Sequence, residues 1–205
     1  MNLKQIEAIA LAEMGTRQGL KTREPGWLFY HGLRTARIAG QLCDALGDDV
    51  NRDVLFVGAL FHDVGKGTDP HNEHGAELAR RLLAAECSDA ELAQICEIVR
   101  LHNQRRDART HPASVRIVQD ADNLDHVGPI VAWLAFYWSG VRNETADDHV
   151  RFATGEENIK YREAMRSYLN FDVSRGLFDA RVRWEDDFFG TFRKVYFKGV
   201  WPEVT

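Results

Sequence analysis

Apolar residues recur at three- and four-residue steps along almost the whole chain, and strict two-residue alternation is scarce. A chain patterned this way buries one stripe of each helix and offers no alternating face for a sheet. The expected fold class is all-α. The first helix falls within residues 1–20 and carries Leu3, Ile6, Ile9, Ala10 and Met14. The second covers about 28–46, with Thr35, Ile38, Ala39, Leu42 and Leu46 on one face and Gly47 as its stop. Further helices are expected near 52–63, 73–85, 89–101, 113–125, 129–138, 156–169 and 174–197. Residues 65–70 break the pattern, and the polar, acidic stretch 140–155 reads as a mobile loop. These elements describe a single helical bundle with a core over 28–140 and C-terminal helices over 156–197 packed on it.

The chain has 205 residues, and 44% of them are hydrophobic, enough for one domain with a sizeable core. Its net charge of −5 argues against a broad nucleic-acid polymer surface but leaves small anionic ligands open, because local charge decides those. No apolar run reaches the ~18–20 residues of a spanning helix. Residues 1–20 carry Lys4, Glu7 and Glu13 and do not read as a secretory leader. Cys43, Cys87 and Cys96 are odd in number and sit within helical patterns, as reduced, packed thiols do. The cytoplasm is the expected location, with no membrane association.

The chemistry starts at Leu60-Phe61-His62-Asp63-Val64-Gly65-Lys66. His62 continues an apolar face, three residues after Ala59 and seven after Leu55. Asp63 is next to it, and a buried carboxylate needs a cation or several donors. Imidazole nitrogen and carboxylate oxygen suit Mn, Fe, Co, Ni or Zn, with Mg as a further candidate. Three other metal-capable side chains occupy core-facing slots. His31 shares the face of Thr35 and Ile38, His102 continues the stripe of Leu92, Ile95 and Val99, and Asp122 follows Val115 and Val118. Helical bundles build metal centres from such inward-facing side chains near helix ends. A lone inward histidine is ordinarily a core residue; it is the set that points to a metal. Asp120 lies only two residues from Asp122 and faces nearly the opposite way, which leaves it a supporting or surface role.

The order of these residues resembles the HD superfamily of metal-dependent phosphohydrolases. The matching segments are Tyr-His-Gly-Leu-Arg around His31, Phe-His-Asp-Val-Gly-Lys around His62 and Asp63, and Val-Gln-Asp-Ala-Asp-Asn-Leu-Asp around Asp122. Small bacterial HD hydrolases, which include nucleotide pyrophosphohydrolases, are the most similar group; they too have a helix ending in Ser-Gly, here Ser139-Gly140. The resemblance implies one divalent ion per chain held by His31, His62, Asp63 and Asp122. His71, in His-Asn-Glu-His-Gly-Ala, resembles the additional histidine of two-metal HD phosphodiesterases and diadenosine-polyphosphate hydrolases, and His102 resembles their next ligand. With those, Asp63 would bridge two ions. Only seven residues separate Asp63 from His71, fewer than two-metal families have, and His102 is followed by Asn103 rather than a second histidine. One ion is the reading adopted, and two stay open; with one, His71 and His102 meet substrate phosphate or orient water. His74, His111, His126 and His149 read as structural or surface residues.

The loop after His102 carries Arg105, Arg106 and Arg109, whose forked guanidiniums match phosphate oxygens. A solvated loop with surface ion pairs is the alternative. Lys66, on a glycine-flanked turn, is a candidate to hold a phosphoryl oxygen or the leaving group. Asp69 and Glu73 are candidates for general acid–base work beside Asp63. Trp27, Phe29 and Tyr30 could support a nucleobase or serve as core. The expected function is hydrolysis of a phosphoester or phosphoanhydride, of a nucleotide, by metal-activated water. Two-metal phosphodiester cleavage of cyclic or dinucleoside substrates, a non-catalytic nucleotide or metal sensor, and a di-iron oxygenase are the other readings. Partners are a small phosphorylated substrate and a second copy in a homodimer.

Overall fold

The computed structural model describes residues 1–106 and 108–199. Among the described residues every long element is an α-helix and no strand occurs. They run α1 (Leu3–Met14), α2 (Trp27–Leu46), α3 (Arg52–Phe61), α4 (His71–Leu83), α5 (Asp89–Leu101), α6 (Ala113–Asp125), α7 (Pro129–Arg142), α8 (Ala146–Ala153), α9 (Glu156–Ser167) and α10 (Asp172–Lys198). None is long and apolar enough to cross a membrane.

Local signals set the helix ends. Gly47 takes φ +68° after α2 and returns its N–H to Cys43 O, the left-handed stop that a side chain resists. Asn51 caps α3 by accepting from the amides of Asp53 and Val54. Ser88 and Glu91 form a reciprocal capping box on α5. Residues 140–155, expected as a mobile loop, instead contain α8. Thr145 and Asp148 cap it reciprocally, and His149, Val150 and Ala153 bury its inner face. The acidic composition of that stretch is the composition of a helix N-terminus. Helix α1 ends at Met14 rather than near residue 20 and returns Gly15 N–H to Leu11 O.

Helix α3 is the centre. Val54, Leu55, Val57, Gly58, Ala59, Leu60 and Phe61 are all buried, against α2 on one side and α5 on the other. Removing a fully buried leucine such as Leu60 to alanine costs on the order of 2–5 kcal/mol. Helix α6 closes the group against α2, and α4 packs on α5. The close approach of α2 to α3 depends on Gly32: a Cβ there would lie 2.3 Å from Leu60 O. That contact brings His31, one residue before Gly32, up to His62, two residues after Leu60. Helices α7 to α10 add a second wall, with a smaller apolar cluster of Ala132, Ala135, Ala153 and Phe189.

Polar contacts join this wall to the bundle. Asp120, fully buried, accepts from the backbone amides of Asn170 and Phe171 at 2.8 and 3.1 Å and from Asn170 Nδ2 at 2.9 Å. Asp120 therefore anchors the α9–α10 turn and has no surface role. Glu185 accepts from Gly128 N and from Arg162, which ties α10 to the α6–α7 turn and to α9.

Candidate metal centre

Helix α3 stops at Phe61 and not at Asp63, so His62 and Asp63 occupy the turn that follows. Amide bonds from Val64 to Phe61 O and from Lys66 to Asp63 O tighten that turn. Gly65 allows it to dock on α4, since a Cβ there would stand 2.1 Å from His71 O. The result is a cluster at one end of α2, α3, α4, α5 and α6, opening into a cavity of about 430 Å³.

His31, His62, Asp63 and Asp122 converge, all buried. His31 Nε2 lies 3.2 Å from Asp122 Oδ1 and 3.2 Å from His62 Nε2. His62 Nε2 lies 3.7 Å from Asp122 Oδ1 and 3.8 Å from Asp63 Oδ2. His71 and His102 reach the other side of Asp63, with Nε2 atoms 3.6 and 3.5 Å from Asp63 Oδ1. Two overlapping donor groups result, one of His31, His62 and Asp63 and one of Asp63, His71 and His102, each compact enough to hold a cation. A third group joins His31 and Asp122 to His126.

The ring nitrogens behind the cluster decide which atoms face inward. His31 Nδ1 donates to Asp125 Oδ2 at 2.7 Å, and Arg34 holds that carboxylate from the far side. His62 Nδ1 donates to Ala59 O and His102 Nδ1 to Val99 O, both at 2.7 Å. Each ring is thereby held with Nε2 inward, the usual outer support of a metal-ligating histidine. In neutral rings so held, two lone pairs meet at 3.2 Å between His31 and His62, an arrangement that needs a proton or a cation between them. His71 Nε2 is buried and has no hydrogen-bond partner. The donor set of imidazole and carboxylate fits a divalent ion.

Charge agrees with this. Burial opposes a charge on His31, but its hydrogen bonds to Asp122 and Asp125 outweigh burial and push it up to about 9. Burial pushes His62 down to about 4. Burial also works against the carboxylates. The charges of His62, Lys66 and His102 and a hydrogen bond from His102 nevertheless hold Asp63 well below the usual range. Hydrogen bonds from His126 and His31 do the same for Asp122. The cluster is thus two carboxylates among imidazoles, and the carboxylates favour a positive charge at His31.

Around the rim, Lys66 Nζ is 3.2 Å from Asp63 Oδ1, and Arg105 Nη2 pairs with Asp122 Oδ2. Asn103, Asn123, Tyr161, Met165 and Tyr168 complete the cavity wall. Other sequence candidates lie elsewhere. Glu73 is half exposed and turned to Arg100 at 2.9 Å. Asp69 is exposed and does not line the cavity. Arg106 lines a neighbouring groove. Asp107, within the arginine loop, lies outside the described residues. Trp27 stacks on His31 at 5.4 Å beneath Arg34, while Phe29 is buried in the core. His111 bonds Gln119, and His149 is buried among Phe136, Phe152 and Phe189.

Sequence reasoning set His126 aside, yet its Nδ1 lies 3.4 Å from Asp122 Oδ1 and its ring lines the cavity. Its place four residues after Asp122 on the same helical face was the available signal. Tyr161 and Tyr168 carried no such signal, because α9 meets the site only through the tertiary fold.

The family model of the HD domain matches residues 28–126. Ribonuclease Y of Chloroflexus aurantiacus is 29% identical over 134 residues, which are 63% of this chain but only 22% of that protein. The chain therefore spans about a fifth of such relatives. Bacillus subtilis YpgQ, solved in complex with ADP, superposes with a TM-score of 0.61 at 17% identity, covering 96% of this chain and 98% of YpgQ. A Bacillus thuringiensis HD-superfamily hydrolase superposes with a TM-score of 0.65 at 20% identity, covering 96% and 98%. At these identities the likeness is one of fold.

Proposed function

Residues 28–126 place the chain in the HD-domain superfamily, and on that premise we propose that it is a divalent-metal-dependent phosphohydrolase acting on a small phosphorylated substrate, a nucleotide. The observation that carries this reading is the inward-facing Nε2 set of His31, His62 and His102 around the carboxylates of Asp63 and Asp122. His31, His62, Asp63 and Asp122 would hold one ion. The unpartnered Nε2 of His71 supports a second, held by Asp63, His71 and His102. Bound there, such ions supply Lewis acidity to a phosphoryl oxygen and lower the pKa of water beside it.

The chain's own residues do the remaining work. Asp125 and the carbonyls of Ala59 and Val99 hold the imidazoles in one tautomer and one orientation. Lys66 and Arg105 stand at the rim where charge on a phosphoryl group needs donors. Both are already beside carboxylates, so each can turn to substrate without crossing the cavity. Tyr161, Met165 and Tyr168 give the opposite wall an apolar and aromatic character that suits a nucleobase. The ADP bound to YpgQ supports the nucleotide reading.

Metal analysis of the purified protein followed by a hydrolysis screen tests the proposal. Nucleoside mono-, di- and triphosphates, cyclic nucleotides and dinucleoside polyphosphates are offered with Mn²⁺, Co²⁺ or Mg²⁺. Release of phosphate, diphosphate or nucleotide that vanishes in Asp63→Ala is the expected result. Metal binding without any product would make the centre a sensor and end the hydrolase reading.

A further inference from the structure

Beside the metal centre lies a second groove, of about 810 Å³, lined by Arg105, Arg106, Arg109, Arg116 and Arg175 with Tyr168 and Asn170. We propose that this groove is a polyphosphate subsite: it holds the further phosphoryl groups of a substrate whose reacting phosphate sits at the metal centre. The inference rests on the phosphohydrolase reading for that second half only; the anion site stands on its own geometry.

Three observations carry it. The first is composition. Five guanidiniums face one cavity in a chain of net charge −5, and among the described residues no carboxylate lines it. Guanidinium groups gathered on one wall are the chemistry that receives phosphate oxygens in forks.

The second is the state of those arginines. The Arg116 guanidinium lies over Phe171, 4.7 Å from the ring centroid, and its Nε is buried without a hydrogen-bond partner. Arg105 Nε is likewise buried and unpartnered, although its Nη2 reaches Asp122. Arg175 is fixed by Asp172 and by Leu169 O. Arg106 and Arg109 are exposed and make no ion pair among the described residues. The groove thus has a braced floor with donors to spare and, at its edge, two exposed arginines without an ion pair among the described residues.

The third is continuity. Arg105 and Tyr168 line both this groove and the metal-centre cavity, so one ligand can occupy both. A monophosphate would leave the groove empty. A di- or triphosphate reaches it. A single-stranded nucleic acid would also bring phosphates, but it requires a series of aromatic faces for its bases, and among the described residues Tyr168 is the one aromatic side chain lining the groove.

Calorimetry on the full chain, dialysed free of metal, reads the site directly. The probes are inorganic tripolyphosphate, orthophosphate and a short oligouridylate, and the variant is Arg106→Gln/Arg109→Gln. Both substitutions are at exposed positions, so the variant folds, and circular dichroism checks this. Tripolyphosphate is expected to bind the unaltered chain at least tenfold more tightly than orthophosphate. It should lose at least tenfold in the variant, while orthophosphate changes less than twofold. Arg116→Gln should lose a similar factor. Equal tripolyphosphate binding in both proteins would overturn the proposal. So would oligouridylate binding that exceeds tripolyphosphate and depends on the same arginines, since the occupant would then be a polymer. If tripolyphosphate binds through the arginines and no substrate is hydrolysed, the hydrolase reading fails and the anion site remains. If hydrolysis is found, the variant should raise KM for di- and triphosphates and leave kcat and the monophosphate KM unchanged.

Discussion

Asp120 and Asp122 lie two residues apart on α6 and serve opposite sides of the molecule. Asp122 faces the imidazole cluster, with His31 Nε2 3.2 Å away and Arg105 beside it. Asp120 faces the other way, and its oxygens take the amides of Asn170 and Phe171. Both are buried carboxylates, and burial opposes the charge of each. For Asp122 the surrounding cations and donors win, and it stays well below the ordinary carboxylate range. For Asp120, neutral amides do not win, and burial pushes it up. The comparison teaches that one helix can carry a candidate cation site on one face and anchor the α9–α10 turn on the other. Stability and chemistry should therefore separate cleanly between them.

The largest effect is expected from Asp122→Ala. Metal retained after dialysis should fall to background and hydrolysis below detection, while circular dichroism still reports a helical protein. Asp120→Ala should do the reverse. It leaves two amides at the α9–α10 turn without acceptors, at a cost of about 2–4 kcal/mol in a denaturant titration. Its metal content should match the unaltered chain. A loss of metal there, with no loss of stability, would show that the two faces had been assigned the wrong way round.

Asp125→Asn sharpens the same contrast at one remove. Asp125 touches no cation in this reading but orients His31 through Nδ1. Metal affinity should weaken by about 10–100-fold. The smallest effect is expected from Glu73→Ala. Its pair with Arg100 is exposed, and such pairs contribute at most about 1 kcal/mol. Hydrolysis should change less than twofold; a large fall would return Glu73 to the acid–base role its sequence position suggests.

The ligand candidates were legible because they interrupt apolar stripes. His31, His102 and Asp122 each stand where the helical period demands a core residue, and a polar side chain in such a slot needs a stated partner. His126 was equally readable by period but was passed over, since a histidine near a helix end has many ordinary explanations. Glu73 shows the opposite case: it is near Asp63 in sequence, yet its carboxylate is half exposed and paired with Arg100. Helix α8 was hidden by its polarity, although Thr145 and Asp148 form the very capping pair that starts a helix.

From the sequence alone came the all-α class, the order of the helices apart from α8 and the residue types able to hold a divalent ion. Those are local properties, set by side-chain period, capping and ligand chemistry. Tertiary structure decided the rest: that Gly32 lets α2 approach α3 until two imidazoles meet, that α9 lends Tyr161 and Tyr168 to the cavity, and that arginines from 105 to 175 share one groove. Such juxtapositions join residues tens of positions apart, and only the packing of buried faces brings them together.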